Sequence, residues 1–497
     1  MSSEPTTGAP DSATAIDPSD TAAPAIPSPR QEASLAAEPS TPDLTAALEG
    51  LRSSVRGRLS TPQDPDWETV RMPWQLVVDQ RPLAVLAVAD ADDVATAVRW
   101  AATHDIAVTA QPVGHAATVA LNGTLLLRTR GLSEISVDAA ARTAWVGAGV
   151  KWGELLAALH GTRLGGCAGS STDPTVVGFT LTGGLSWFSR LWGLSCDNVL
   201  AVDLVDPRGQ KVRVTRDSDP DLFWALRGGG GDFGIVTAMQ IVLHPAPQLY
   251  GGRLLWPIGQ AAPVLRAFRQ VAVSAPRRFS IWAHLYQFPP FPEVPEPLRG
   301  KAFASVAVAY LGPAEEAEQL LAPVRAVAEP TMDLMGEVPL AELGSIADEP
   351  VDPIPAIEHS MLLNHLDDDA IDALVEAAGE GSGSAVAIVQ IRPLGGAIAT
   401  PHPDKGAAGH IEQPFQLFCV GIPAAPGLAE AIVASLQRID GSLRGAGSVL
   451  RLPNFLGREQ ERFSCWTPTA LVRLREIKQQ RDPQGTIRSN RPVLPQG

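Results

Sequence analysis

Tyrosine is nearly missing. Tyr250, Tyr286 and Tyr310 are the only three in 497 residues, and all aromatic residues together make up 5%. An active site that depends on a phenol has few positions to draw on. Cysteine is almost as scarce. Cys167, Cys196, Cys419 and Cys465 contain no Cys-x-x-Cys pair and no zinc spacing, so neither a disulfide scaffold nor a metal site is expected. Four reduced, mostly buried thiols are the expectation. No apolar run approaches the roughly 18 residues of a membrane-crossing helix. The opening residues, Met1 to Pro10, have neither the basic start nor the apolar stretch of a signal peptide, which makes the expected location cytoplasmic. Positive charge is also short. Lys and Arg number 39 against 54 Asp and Glu, a net charge of −15, and this argues against nucleic-acid and membrane-surface partners.

What is present describes a globular chain. Hydrophobic residues make up 45% and charged residues 19%, enough for a sizeable core, and the length suits two or three domains. Residues 1–40 hold Ala, Pro, Ser, Thr and acids with almost no large apolar side chains, so a disordered tail is expected there. Thr41-Pro42-Asp43 starts a helix carrying Leu44, Leu48, Leu51 and Val55 at helical spacing, and the segment from Arg58 to Pro65 ends it. Strand, helix and strand follow over Arg81–Val88, Asp90–His104 and Ile106–Gln111, a small α/β unit. Further strands are expected over Thr124–Thr129 and Ala144–Ala148, and a helix over Lys151–His160.

The chain is organised around Arg163 to Thr237. Glycines and small hydroxyl residues fill its first and last thirds, including Gly169, Ser170, Ser171, Gly178, Gly183 and Gly184. Such backbone lets N–H groups converge on a diphosphate. Between them, Val199–Val205 and Val212–Val214 flank Asp206-Pro207-Arg208-Gly209, the pattern of a β-hairpin. Gly229-Gly230-Gly231-Asp232-Phe233-Gly234 matches G-x-G-x-x-G, but a helical turn precedes it and a strand follows. A dinucleotide fingerprint needs the reverse order, so a nicotinamide site is not assigned.

Three segments carry a family resemblance: Val177 to Trp187, Leu191 to Asn198, and Pro220 to Gly231. They resemble the berberine bridge enzyme-like group of the vanillyl-alcohol oxidase superfamily, FAD-linked oxidases, and the likeness runs from about Gly57 to the C-terminus. It implies an α+β fold: a two-part FAD-binding domain over 41–248 built from two α/β subdomains, a substrate domain over 249–455 with an antiparallel sheet backed by helices, and a return to the FAD-binding domain over 456–497. Expected strands at Phe303–Leu311, Val386–Arg392 and Phe415–Ile422, and helices at Ala314–Val327, Asp369–Ala378 and Gly427–Ile439, fit that substrate domain. A final helix is expected over Pro468–Gln480, where Arg481 to Gly485 stops it.

The resemblance also assigns site residues. Relatives join a histidine to the flavin 8α-methyl from an Arg-x-Gly-Gly-His turn. Here Gln111, Pro112 and Val113 depart from that turn, while Gly114 and His115 remain. A neutral imidazole is the nucleophile such a bond requires. The position of the relatives' second, cysteinyl link falls on Ser171, so no cysteinyl bond is expected. Gly169, Ser170 and Ser171 face the diphosphate by this reading. Gly178, Leu181, Gly183 and Gly184 run along the flavin, Asp197-Asn198 resembles the family's Asp-Asn pair, Ile235 and Val236 pass main chain beside the cofactor, and Asn490 supplies a polar contact. Asp232 stands where Asn is commoner.

The catalytic base is the missing piece. Relatives use a Tyr near the C-terminal segment, or an acid or Tyr on the strand matching Phe415–Ile422. Phe463-Ser464-Cys465-Trp466 contains no Tyr, and Cys419-Val420-Gly421-Ile422 contains no acid. Tyr286 and Arg392 are the substitutes that the sequence offers, and either also suits a satisfied polar position on a half-buried sheet. The implied activity is hydride removal from an alcohol, amine or similar carbon of a small to medium, secondary-metabolite-like substrate, with dioxygen or another acceptor reoxidising FAD. A flavin-binding protein that has lost catalysis is the alternative, motivated by the missing base.

Overall fold

The computed structural model describes residues 41–290, 292, 294–457 and 460–495. The expected N-terminal tail lies outside them. The chain divides into a short unit ending at Leu48, helical over its described residues, and a large unit from Glu49 onward.

Its first sheet has four strands. Leu125–Arg128 lies between Ala84–Ala87 and Val108–Ala110 and runs parallel to both. Parallel neighbours need a crossover, and the helix Ala91–Thr103 supplies one. Asp90 caps it, accepting from the N–H groups of Asp92 and Asp93. The segment after Arg58, expected only to stop a helix, instead places Arg58–Ser60 as an antiparallel edge strand on Ala84–Ala87. Two features recruit it. The buried Asp93 carboxylate accepts from Arg56 N and Gly57 N at 2.8 Å, and Gly57 approaches so closely that a Cβ there would meet Ala87 O at 2.1 Å.

A second, five-stranded antiparallel sheet has the order Ile135–Asp138, Thr143–Gly147, Ile235–Val242, Val199–Val205, Lys211–Thr215. The last two strands form the expected hairpin. The Asp206 carboxylate accepts from Arg208 N and Gln210 N, and Gly209 takes φ +76°. The glycine run is ordered as the sequence indicates: helix Pro220–Leu226 precedes it and strand Ile235–Val242 follows.

The third sheet has eight strands, and every pairing is antiparallel. Its centre runs Tyr250–Pro257, Ala302–Tyr310, Phe279–Gln287, Ile388–Pro393, Phe415–Gly421, Ile357–Leu363. Period-two alternation splits each strand between two faces. Ile281, Ala283, Leu285, Val306, Val308, Val389, Ile391, Leu417 and Cys419 enter one core with helices Ala261–Ser274, Ala314–Arg325, Asp368–Ala378 and Leu428–Ser442. The fold is α+β, as expected. Trp282 on the opposite face stacks on Trp187, with ring centroids 3.4 Å apart and planes 6° from parallel, which joins the sheet to the glycine-rich stretch.

After the helix Pro468–Arg481 the chain returns to the first two sheets. Lys478 is buried and donates to the Asp482 carboxylate, Asp232 O and Ile487 O at 2.6–2.8 Å. Val108 N donates to Thr486 O and Arg488 N to Val108 O, so the segment extends the first sheet.

Candidate functional site

The turn after strand Val108–Ala110 presents His115. Its Nε2 lies 2.7 Å from Asp173 Oδ2, and its ring packs 4.1 Å from that of Trp74. Lys151 Nζ donates to the other Asp173 oxygen. Burial pushes the Asp173 carboxyl upward, but the hydrogen bonds from His115 and Lys151 outweigh it and hold the group below its usual range. A carboxylate accepting from Nε2 places the ring proton there and leaves the lone pair on Nδ1. Gly114 takes φ +102°, and a Cβ there would meet Pro73 at 2.8 Å.

Gln111, one of the departures in this turn, has a local role. It exchanges hydrogen bonds with Gln80, and its Oε1 accepts from Asn490 Nδ2 at 2.8 Å. Asn490 Oδ1 accepts from Thr118 N and Gln80 Nε2. Asn490 thereby fastens the C-terminal segment to the His115 turn and retains one amide hydrogen for a further acceptor. Asp232 fastens the same segment elsewhere, its two oxygens accepting from Ser489 N and Val493 N at 2.9 and 2.6 Å. Two backbone donors suit a carboxylate better than an amide, which accounts for Asp at this position.

In the glycine-rich stretch, Thr175 caps the short helix Val176–Leu181 by accepting from Gly178 N. Gly183 and Gly184 follow at φ +104° and +83°. Gly184 N donates to Asn454 Oδ1 at 2.7 Å, and a Cβ on Gly184 would stand 2.5 Å from Ser195 Cβ and 2.8 Å from the Phe179 ring. Gly184→Ala therefore combines left-handed strain with overpacking, and a loss of about 2–5 kcal/mol is expected as a lowered Tm. Gly169 packs against the Phe179 ring, Ser170 is buried, and Ser171 Oγ accepts from Asp173 N.

Asp197 and Asn198 spend their side chains inside the fold. Asp197 accepts from Leu194 N and Lys405 Nζ. Asn198 donates to Trp192 O and Leu194 O, and its Oδ1 pairs with His244 Nε2 at 2.7 Å. Ile235 and Val236 are buried at the start of the central strand of the second sheet. Cys167 is buried, accepts from the Asn198 amide, and has its thiol pushed well up by burial.

The face of the eight-stranded sheet turned away from its helices is polar. Trp282, His284 and Tyr286 share it with Ser305, Gln390, Arg392, Gln416 and Glu358, as the strand registers require. Two segments described above reach this face. Arg392 Nη2 donates to Ser170 Oγ at 3.2 Å. Gln75, whose N–H donates to Gly114 O, accepts from Ala356 N at 2.9 Å and hydrogen-bonds the Glu358 carboxyl. Glu358, half-buried on this face, is an ionisable group that the sequence reading did not single out. Burial pushes its carboxyl up to about 7, Glu349 adds to the rise, and Arg491 and Gln75 act against it. Tyr286 is pushed up by burial to about 12, and Arg392 is lowered by burial only to about 10, so neither is a proton acceptor at neutral pH.

Beside the His115 turn lies a cavity of about 390 Å³, bordered by Pro112, Val113, Arg58, Arg128, Arg130 and Lys151 among others. Three of these cations are paired, Arg58 with Asp66, Arg130 with Glu154 and Lys151 with Asp173. Among the described residues, Arg128 donates only to the carbonyls of Val70, Met72 and Gln111, and burial lowers it to about 10. The wall therefore carries an uncompensated positive charge.

Residues 82–215 match the family described as FAD binding domain. The (R)-6-hydroxynicotine oxidase of Paenarthrobacter nicotinovorans is 26% identical over 460 residues, spanning 89% of this chain and 98% of that protein. Among solved structures, BBE-like 1 of Physcomitrella patens superposes with a TM-score of 0.79 at 21% identity, over 90% of this chain and 100% of the other. The berberine bridge enzyme of Eschscholzia californica superposes with a TM-score of 0.78 at 17% identity, over 91% and 99%. FAD is the cofactor, and the residues present fit it. A cavity wall with an unpaired Arg128 suits the dianionic diphosphate, and the His115 turn beside it keeps one ring nitrogen free.

Proposed function

We propose that this FAD-linked oxidoreductase, which resembles the berberine bridge enzyme-like group, removes a hydride from an alcohol, amine or similar C–H of a small to medium organic substrate, with dioxygen as the final electron acceptor. The observation that carries this reading is the convergence of the His115 turn and the Gly169–Gly184 stretch on the polar face of the eight-stranded sheet. Gln75 ties Gly114 to the Glu358 strand, and Arg392 reaches Ser170. When bound, FAD supplies the hydride acceptor and passes the electron pair to dioxygen.

The chain's own residues supply the rest. Gly114, Gly169, Ser170, Ser171, Gly178, Leu181, Gly183, Gly184, Ile235, Val236 and Asn490 are the proposed cofactor contacts, with Asp197 and Asn198 shaping the loop behind them. His115 is the proposed attachment residue through Nδ1, with Asp173 holding the other ring nitrogen. No cysteinyl bond is proposed, because Ser171 occupies the expected position and the Cys167 thiol is buried and raised. Glu358 is the proposed acceptor of the substrate O–H or N–H proton. A carboxyl near 7 is half deprotonated at neutral pH, the poise that general-base work favours. A proton acceptor on this face favours retained catalysis over a flavin carrier.

Anaerobic mixing with a panel of alcohols, amines and their acid derivatives tests the activity. Bleaching of the flavin by one class, followed in air by hydrogen peroxide matching product, is expected. A flavin that no panel member reduces would count against it. Asp173→Asn removes the charge that orders His115, and most of its flavin is expected to become acid-extractable, measured by absorbance of supernatant and pellet.

A further inference from the structure

The polar face of the eight-stranded sheet leaves an unusual set of buried groups without partners. His284 is 2% exposed, and its Nε2 accepts from Gln390 Nε2 at 2.7 Å. Burial, with Arg392 and Arg253 nearby, lowers its pKa well below the usual value, so the ring is neutral and its proton sits on Nδ1. That Nδ1 is buried and unpartnered, as is the Oγ of Ser305 on the neighbouring strand. Gln416 is 1% exposed, and both of its amide atoms are buried without partners. It stands directly across from Arg392 in strand register.

Arg392 is the odd group among these. Its side chain is buried, sandwiched between the Trp282 ring at 4.0 Å and the Phe455 ring at 4.5 Å. Nε donates to Gln390 Oε1 and Nη2 to Ser170 Oγ, both neutral acceptors. Its nearest carboxylate, Glu349, lies 4.0 Å away, beyond hydrogen-bond reach and one-third exposed. A buried guanidinium normally meets an anion in bidentate contact. Arg253, a second cation near this face, is already committed to Asp348 and Ala347 O. The array is rich in donors, with the guanidinium, the Gln416 amide N–H₂, the His284 Nδ1–H and the Ser305 hydroxyl all turned to one face. The complement of such an array is a ligand rich in acceptor oxygens that carries negative charge.

Resting on the oxidoreductase reading above, we propose that Arg392, with Gln416 beside it, receives a carboxylate of the substrate, so that the substrate is an organic acid rather than a simple alcohol or amine. Arg392 acts in binding and orientation. Glu349, 4.0 Å from Arg392, is the carboxylate placed to compete with the ligand.

The test uses the full-length flavin-loaded protein and the probe benzoate, with benzyl alcohol and benzylamine as its uncharged and cationic counterparts. Calorimetry reads binding whether or not the flavin responds, and flavin absorbance reads proximity to the cofactor. Benzoate is expected to bind saturably and in preference to the other two. Arg392→Gln is expected to weaken benzoate by roughly 10- to 100-fold, with Arg392→Lys between it and the parent. Gln416→Leu weakens it less, and Glu349→Gln tightens it. Flavin content stays at the parental level throughout, which separates lost binding from lost folding. Should Arg392→Gln fail to fold, the opposed shifts of Gln416→Leu and Glu349→Gln decide. Failure of benzoate to bind, equal binding of all three probes, or benzoate affinity unchanged in these variants would overturn the proposal. A protein that takes up no FAD would overturn the oxidoreductase reading instead, and calorimetry would still judge the carboxylate site separately.

Discussion

Glu358→Gln is expected to slow substrate turnover by roughly 100- to 10,000-fold, the range a positioned base contributes, while flavin content and Tm stay near those of the parent. Glutamine keeps the shape and the contact with Gln75 but cannot accept a proton. The parent should also show a distinctive pH profile. Glu358 acts as a base only when deprotonated, and burial raises its carboxyl to about 7. The value of kcat/KM should therefore fall about tenfold per pH unit on the acidic side of that point and level off above it. In the glutamine variant that acidic limb should vanish. Stopped-flow bleaching of the flavin across pH measures both effects. A parent profile that stays flat down to the ordinary carboxylate range would remove Glu358 from the reaction.

The second large effect is all-or-none. His115→Ala is expected to convert acid-stable flavin into flavin that is wholly extractable. In the native variant FAD is still held by the Arg128-lined cavity and the glycine-rich stretch, so a yellow protein that bleaches on denaturation and filtration is the expected result. Asp173 is left with Lys151 alone, and because the hydrogen bond from His115 helps lower the Asp173 carboxyl, its pKa should rise in the variant. A His115→Ala protein that keeps covalent flavin would place the attachment elsewhere.

Much of this architecture is legible in the chain because local chemistry determines it. Asp206-Pro207-Arg208-Gly209 makes a hairpin whose turn is closed by the Asp206 carboxylate itself. The reversed order around Gly229–Gly234 rules out a dinucleotide turn without any tertiary information. Other features depend on distant partners. Arg58–Ser60 is a strand because Asp93 and Ala87, far along the chain, hold it. Glu358 looks like a surface acid between Ile357 and His359. Its direction is set by pairing with Val420, and its raised carboxyl by burial, which outweighs the opposing effects of Arg491 and Gln75. The alternation Glu358, Ser360, Leu362 carried the signal, but no sequence period tells which face of a sheet meets a cofactor. The missing tyrosine was informative in the same way. It left Tyr286 and Arg392 as the sequence's candidates, and burial raises Tyr286 to about 12.

The proposed bond between FAD and His115 is tested directly by one absorption measurement. The purified protein is scanned, precipitated with acid, washed, and scanned again as redissolved pellet and as supernatant. The predicted result is a flavin spectrum that stays with the pellet in the parent and passes to the supernatant in His115→Ala. Flavin released entirely from the parent would contradict the covalent bond and leave the fold standing. A protein with no flavin that also takes up none from added FAD would contradict the whole account.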